Sequence, residues 1–192
     1  IRAASARQDF YQGGVTATLF GQADAMFEAQ LSLRLALKEQ DTAAAVKAAA
    51  VLESLRGENA VEINGEVCND IRDLDDSLAG YLELFGTDGH YYLAKFSEID
   101  SLSLKKPESL LDTVWRRAEI VIKDGPQGEV FVPITYVDSV KVSERLGKDT
   151  TWQQLHEQLV TGIGQKMLLV GEQAVALSDI QQLSLADIAA TA

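Results

Sequence analysis

Asp70, Asp73, Asp75 and Asp76 place four carboxylates within seven residues, the densest chemistry in the chain. Asp73-x-Asp75-x-Ser77 has the alternating oxygens that open a calcium-binding loop, where such side chains converge on one ion. That loop also needs glycine at its sixth position for a sharp turn and glutamate at its twelfth for bidentate closure. Here those positions are Leu78 and Leu84. The stretch therefore predicts a solvated turn whose carboxylates cap backbone amides.

His90 and His156 are the only imidazoles, and their spacing gives no paired metal ligand. His90 adjoins Tyr91-Tyr92 and reads as a surface or half-buried strand residue. Cys68 is the only cysteine, so no internal disulfide can form. It lies in a predicted strand, where a free thiol behaves as a small hydrophobe rather than a nucleophile. Gly162-Ile163-Gly164 lacks the Gly-Lys-Ser that completes a phosphate cradle, and an apolar strand follows it. Trp115-Arg116-Arg117 is the one basic–aromatic spot. It admits two readings: an anchor for a partner, since Trp and Arg dominate interface hot spots, or an arginine stem packed over an aromatic face. No cofactor or metal is called for.

The formal net charge is −12. That sign opposes binding to nucleic acid, where Lys and Arg must neutralise phosphates, and to anionic membrane surfaces. No apolar run approaches the roughly 20 residues needed to span a bilayer, and the first residues carry no secretory apolar segment. A cytoplasmic protein is the expectation. Because the chain begins at Ile1 rather than Met, it also reads as part of something longer.

Two regions must position these side chains. Residues 1–58 read as helices in hairpin order, the C-terminal part of a helical-repeat domain. Leu19, Ala23, Phe27, Leu31, Leu35 and Leu37 recur at near-helical steps. Gly13-Gly14 breaks the first helix from the second. Asp41-Thr42 is set to cap an alanine-rich helix closed at Arg56-Gly57. Residues 59–192 read as an antiparallel β-rich domain with short helices. Hairpins are predicted around Asn64-Gly65, around residues 86–89, around residues 124–128, and within residues 165–185. Pro107 opens a predicted short helix, and residues 150–160 are ambiguous between helix and loop. Residues 96–104 (FSEIDSLSL) are echoed by 177–185 (LSDIQQLSL), and Gly80–Phe85 aligns with Gly164–Leu169. The fold class is therefore α+β: antiparallel helices, then an antiparallel sheet or small barrel built from a duplicated hairpin unit.

Taken in order, these blocks resemble the ImpE/TagJ family of type VI secretion accessory proteins, from about Arg56 to Leu183. The family's acidic turn is similar to Ile71 through Glu83. Its Gly-x-Tyr-Tyr with Phe and Ile matches Gly89, Tyr91, Tyr92, Phe96 and Ile99. Pro107-Glu108, Leu110, Asp112 and Val114-Trp115 match its Pro-Glu-x-Leu-x-Asp-x-Val-Trp block. Gly128-Glu129, Pro133 and Tyr136, then Gly162 through Leu168 with Asp179, follow its later blocks. The chain departs where the family has Arg, at Ser77, and Trp, at Asp70; Tyr136 to Ser139 replaces a Tyr-Pro-Gly-Ser run. The resemblance implies a non-enzymatic adaptor that binds the contractile sheath subunit and a ClpV-type ATPase. Asp73, Asp75, Tyr91, Trp115, Arg116 and Tyr136 are the residues expected to meet a partner.

Two other readings compete. One is a hydrolytic or metal-dependent enzyme using Asp73 and Asp75 with His90 or His156, which requires those side chains to share a pocket. The other is a regulatory barrel that binds a small ligand or peptide.

Overall fold

A computed structural model describes residues 2–14 and 17–186. Three helices come first: α1 (Arg2–Tyr11), α2 (Ala25–Lys38) and α3 (Thr42–Arg56). Asp24 caps α2 by accepting from Phe27 N at 3.1 Å, and Asp41 caps α3 by accepting from Ala44 N at 3.0 Å. Each satisfies an amide that the first helical turn leaves unpaired. The predicted stripe on α2 is out of phase. Leu19 and Ala23 precede the helix and Leu35 is half exposed, while Met26, Phe27, Gln30, Leu33 and Arg34 face inward. Two polar residues on the buried face disguised its true phase.

The sheet region begins with β1 (Val61–Ile63), β2 (Glu66–Cys68), β3 (Ile71–Asp73), β4 (Tyr81–Gly86) and β5 (Tyr91–Lys95). It continues through β6 (Ile99–Leu104), β7 (Trp115–Ile122), β8 (Gln127–Pro133) and a short helix α4 (Val142–Arg145). Five more strands follow: β9 (Thr150–His156), β10 (Leu159–Gly164), β11 (Met167–Val170), β12 (Gln173–Ala176) and β13 (Gln182–Leu185). Eight of these strands form one antiparallel sheet in the order β2-β1-β13-β6-β7-β8-β4-β5. It stays open, with β2 and β5 at its edges, so the small-barrel alternative is corrected. The β5 edge is covered by Thr18, which donates to Tyr91 O and accepts from Leu93 N. Smaller sheets pair β9 with β10, and β11 with both β12 and β3.

The Asn64-Gly65 turn has positive φ at both residues (51° and 90°), as a type I′ hairpin requires. Residues 150–160 are resolved as the hairpin β9–β10, neither helix nor loop. Its first strand is exposed on both faces, so no alternation marked it. Instead of a helix at Pro107, a single 3₁₀ turn forms at Leu111–Thr113. The two echoing stretches each run strand, turn, strand, 3₁₀ turn, strand. Their last strands pair, with Leu102 opposite Leu183. Their hairpins enter different sheets, β4–β5 the large one and β11–β12 the small one.

Strand β4 is buried on both faces. Leu82 and Leu84 join an aliphatic core with Ile99, Leu102, Ile120, Val132, Leu168 and Leu183. Tyr81 and Phe85 face the other way, into a second core shared with Phe10, Phe27, Leu33 and Leu52 of the helices. Among the described residues, no helix is long and apolar enough to cross a membrane.

Candidate functional site

At the centre of the face that β4 turns to the helices lies Glu83, fully buried. An isolated buried carboxylate is expensive, and this one is surrounded by donors. From α1, Arg7 donates Nε to Oε1 at 2.8 Å and Nη2 to Oε2 at 2.6 Å, the two-pronged geometry that guanidinium favours. Nη2 also donates to Thr135 O at 2.9 Å. Tyr91 donates its hydroxyl to Oε1 at 2.7 Å, and Lys166 Nζ lies 2.5 Å from Oε2. Burial alone would raise the Glu83 carboxyl, but Arg7 and Lys166 outweigh it and hold it well below the usual carboxylate range. Burial pulls Lys166 below the ordinary lysine value, with Glu83 opposing.

Beside this cluster is the acidic turn, and here the expectation of solvated carboxylates is corrected. Asp73 and Asp75 are 1% and 4% exposed. The capping role is present: Asp73 Oδ1 accepts from Asp75 N, and Asp75 Oδ1 from Ser77 N, both at 2.8 Å. What the sequence hid are the distant donors. Asp75 Oδ2 accepts from Gly162 N at 2.9 Å, and Asp76 Oδ2 from Val160 N at 2.7 Å. Tyr136 donates its hydroxyl to Asp73 Oδ1 at 2.7 Å. On the helix side, Ser77 O accepts from Gln30 Nε2 at 2.9 Å and Arg34 Nη2 at 2.7 Å. The turn is thus a hub joining α2 to β10 and β11. Burial pushes Asp73 up to about 7, with Lys166 opposing and Asp75 adding to the rise. Asp75 is also raised by burial, against Arg34 and the amides of Gly162 and Ser77.

Gly162 and Gly164 are explained by close approach rather than phosphate binding. A Cβ at residue 162 would run into the Tyr136 ring, and one at 164, where φ is +90°, into the Asp149 carbonyl.

Of the residues expected to meet a partner, Asp73, Asp75 and Tyr136 are brought together, while Tyr91 bonds to Glu83 in the neighbouring cluster. All four are buried. Trp115 is half-buried, its ring edge-on to Phe85 at 5.4 Å. Arg116 is 9% exposed and donates Nε to Asp112 O at 3.0 Å. Trp115 lines a groove of about 690 Å³ whose apolar wall is Ala4, Phe85, Leu110, Leu111 and Leu146, with Gln8 and Arg145 among its polar lining. There Leu110 is 73% exposed and Leu111 57%. His90 and His156 do not join the acidic turn: His90 pairs with Asp88 at 3.0 Å, and His156 Nδ1 accepts from Gln158 N at 3.2 Å. Cys68 is half-buried on β2. Among the described residues, no three His, Cys, Asp or Glu side chains are grouped to hold a metal ion.

Arg7, Glu83, Lys166, Gln30 and Arg34 were not singled out by the sequence. Glu83 had a signal: a lone acid inside the run Gly80-Tyr81-Leu82-Glu83-Leu84-Phe85, where an apolar strand would bury it. Arg7 and Lys166 had none, since each is distant in the chain from the acid it neutralises.

Comparison with known proteins places this architecture. The family described as ImpE protein matches residues 65–184. The type VI secretion system accessory component TagJ of Pseudomonas aeruginosa is 29% identical over 118 residues, which is 59% of this chain and 40% of that protein. The chain thus spans well under half the length of this curated relative. The crystal structure of protein VPA1032 from Vibrio parahaemolyticus superposes with a TM-score of 0.92 at 37% identity, covering 98% of this chain and 71% of that one. Helices α1, α2 and α3 precede the family match yet fall within the structural one.

Proposed function

The chain belongs to the ImpE protein family, and on that premise we propose that it is a non-enzymatic adaptor of a bacterial type VI secretion system, acting in the cytoplasm. The proposed partners are the contractile sheath subunit and its ClpV-type recycling ATPase. The relative TagJ is a type VI secretion accessory component, which supports the secretion setting. The observation that carries the adaptor reading is the disposition of charge around Glu83. Both Glu83 oxygens are engaged by Arg7, Lys166 and Tyr91, and Asp73 Oδ1 accepts from Tyr136 and the Asp75 amide, where catalysis would need reactive groups turned toward a substrate.

The groove beside Trp115 offers the surface. Exposed Leu110 and Leu111 flank a half-buried indole, the combination of aromatic anchor and apolar rim that concentrates binding energy. Co-purification at low salt with each named partner tests the reading. Retention of the sheath subunit or the ATPase is expected, with loss in a Leu110→Asp/Leu111→Asp variant that melts normally. Failure of the full-length protein to retain either partner would remove the proposal.

A further inference from the structure

Two arginines sit buried within the same helix–sheet layer, and they differ in one respect. Arg7 is paired with a carboxylate: its Nε and Nη2 are bonded to both oxygens of Glu83 and to Thr135 O. Arg34 is 5% exposed and makes a single hydrogen bond among the described residues, from Nη2 to Ser77 O. Its Nε has no hydrogen-bond partner among the described residues. The guanidinium is stacked on Tyr11 with 3.9 Å from carbon to ring centroid, so its plane is fixed. Asp75, whose charge acts on Arg34, has one oxygen committed to Ser77 N and the other to Gly162 N. A guanidinium carries five N–H donors in a rigid fork shaped for a carboxylate. Arg34 is held in place with most of that capacity unused.

It is also at the wall of a pocket of about 340 Å³. The ends of α1 and α2 contribute Gln8, Gln12 and Lys38; the β9–β10 hairpin contributes Gln153 and Thr161; Leu37 and Leu155 supply apolar surface. Lys38 is exposed at the end of α2 and adds a second cation.

We propose that this pocket binds a carboxylate group, with Arg34 as its fixed anchor, Lys38 as a second positive charge and Gln153 and Thr161 as neutral polar neighbours. Leu37 and Leu155 suit the short aliphatic stem on which such a carboxylate is carried. The same chemistry is offered by a free dicarboxylic acid and by a glutamate side chain in an extended peptide. Asp75 and Asp138 also line the pocket, and with the chain's charge of −12 they disfavour a small dianion more than one acidic side chain in a neutral peptide. The inference does not depend on the secretion-system reading, because it rests on Arg34 and its pocket alone.

Calorimetric titration of the intact chain separates the outcomes, using glutarate, glutaramide, and a blocked tripeptide with central glutamate or glutamine. Fluorescence of Trp152, which packs edge-on to Tyr136 in the pocket wall, gives a second signal. The glutamate peptide is expected to bind at least about tenfold more tightly than its glutamine counterpart, the discrimination expected of a charge-assisted fork. Glutarate binding as tightly as the peptide would assign the site to a free acid. Arg34→Lys, which keeps a donor for Ser77 O, should weaken binding about tenfold or more with melting little changed. If that variant fails to fold, Gln153→Glu places an anion at the pocket without touching the buried cluster, and it should also weaken binding severalfold. Equal binding of amide and carboxylate, or no binding of either acid at about 1 mM, would overturn the proposal.

Discussion

Strand β4 separates two cores built on different terms. On one side Leu82 and Leu84 pack with aliphatic side chains drawn from most of the sheet. On the other, Tyr81 and Phe85 meet the helices around Glu83 and its cations. The buried Arg7, Arg34, Asp73, Asp75, Glu83 and Lys166 gather on this second side and around the acidic turn, whereas buried Asp112 and Glu144 accept from amides of their own loops. The aliphatic core draws its stability from area removed from water and tolerates approximate fits. The charged layer demands that α1 and α2 arrive in one register, since any shift leaves a buried ion without its counterion. The contrast teaches that charge here specifies how the helices dock, while hydrocarbon holds the sheet together.

The largest break in the comparison comes from Glu83→Ala. It strands Arg7 and Lys166 without their shared anion and should lower stability by about 3 to 5 kcal/mol in urea unfolding. Leu102→Ala, in the aliphatic core, should cost about 3 kcal/mol, and that cost should be the same at pH 5 and pH 7. The charged side should not share this indifference. Asp73 is raised by burial to about 7 from the usual 3.8, so between those values the folded chain keeps a proton that the unfolded chain has released. Its contribution makes stability fall as pH rises from about 4 to 7. Asp73→Asn can still accept from Tyr136 and from Asp75 N, and should flatten that slope in unfolding measured across the window. Glu83 acts with the opposite sign. Its lowered value gives stability that is fully present above about 4.5 and is lost as pH falls through the folded-state value. Finer adjustments lie outside both cores. Asp41→Ala removes the cap of α3 and should cost about 1 kcal/mol by thermal melting. Glu119→Gln, which breaks an exposed pair with Lys105, should change stability by less than about 0.5 kcal/mol.

The same division governs what could be read from the sequence. Local chemistry was legible: the Asn64-Gly65 turn, the Asp41 cap and the predicted hairpins each depend on neighbours in the chain. The family blocks between Arg56 and Leu183 correspond closely to the match over residues 65–184. Long-range pairing was not legible. The acidic turn looked solvated because its donors, Gly162 N, Val160 N and Tyr136 OH, come from far along the chain. The buried face of α2 was misread because Gln30 and Arg34 are polar, yet face inward to meet the Ser77 carbonyl. Strand β9 escaped notice because a strand exposed on both faces carries no alternation.

The central claim is that the Arg7–Glu83 pair couples the helical layer to the sheet. A double-mutant cycle with Arg7→Met and Glu83→Leu, followed by urea unfolding at pH 7, tests it most directly. A coupling of about 2 kcal/mol or more is predicted, with the double variant more stable than the two single losses imply. Additivity within about 0.5 kcal/mol would contradict the account.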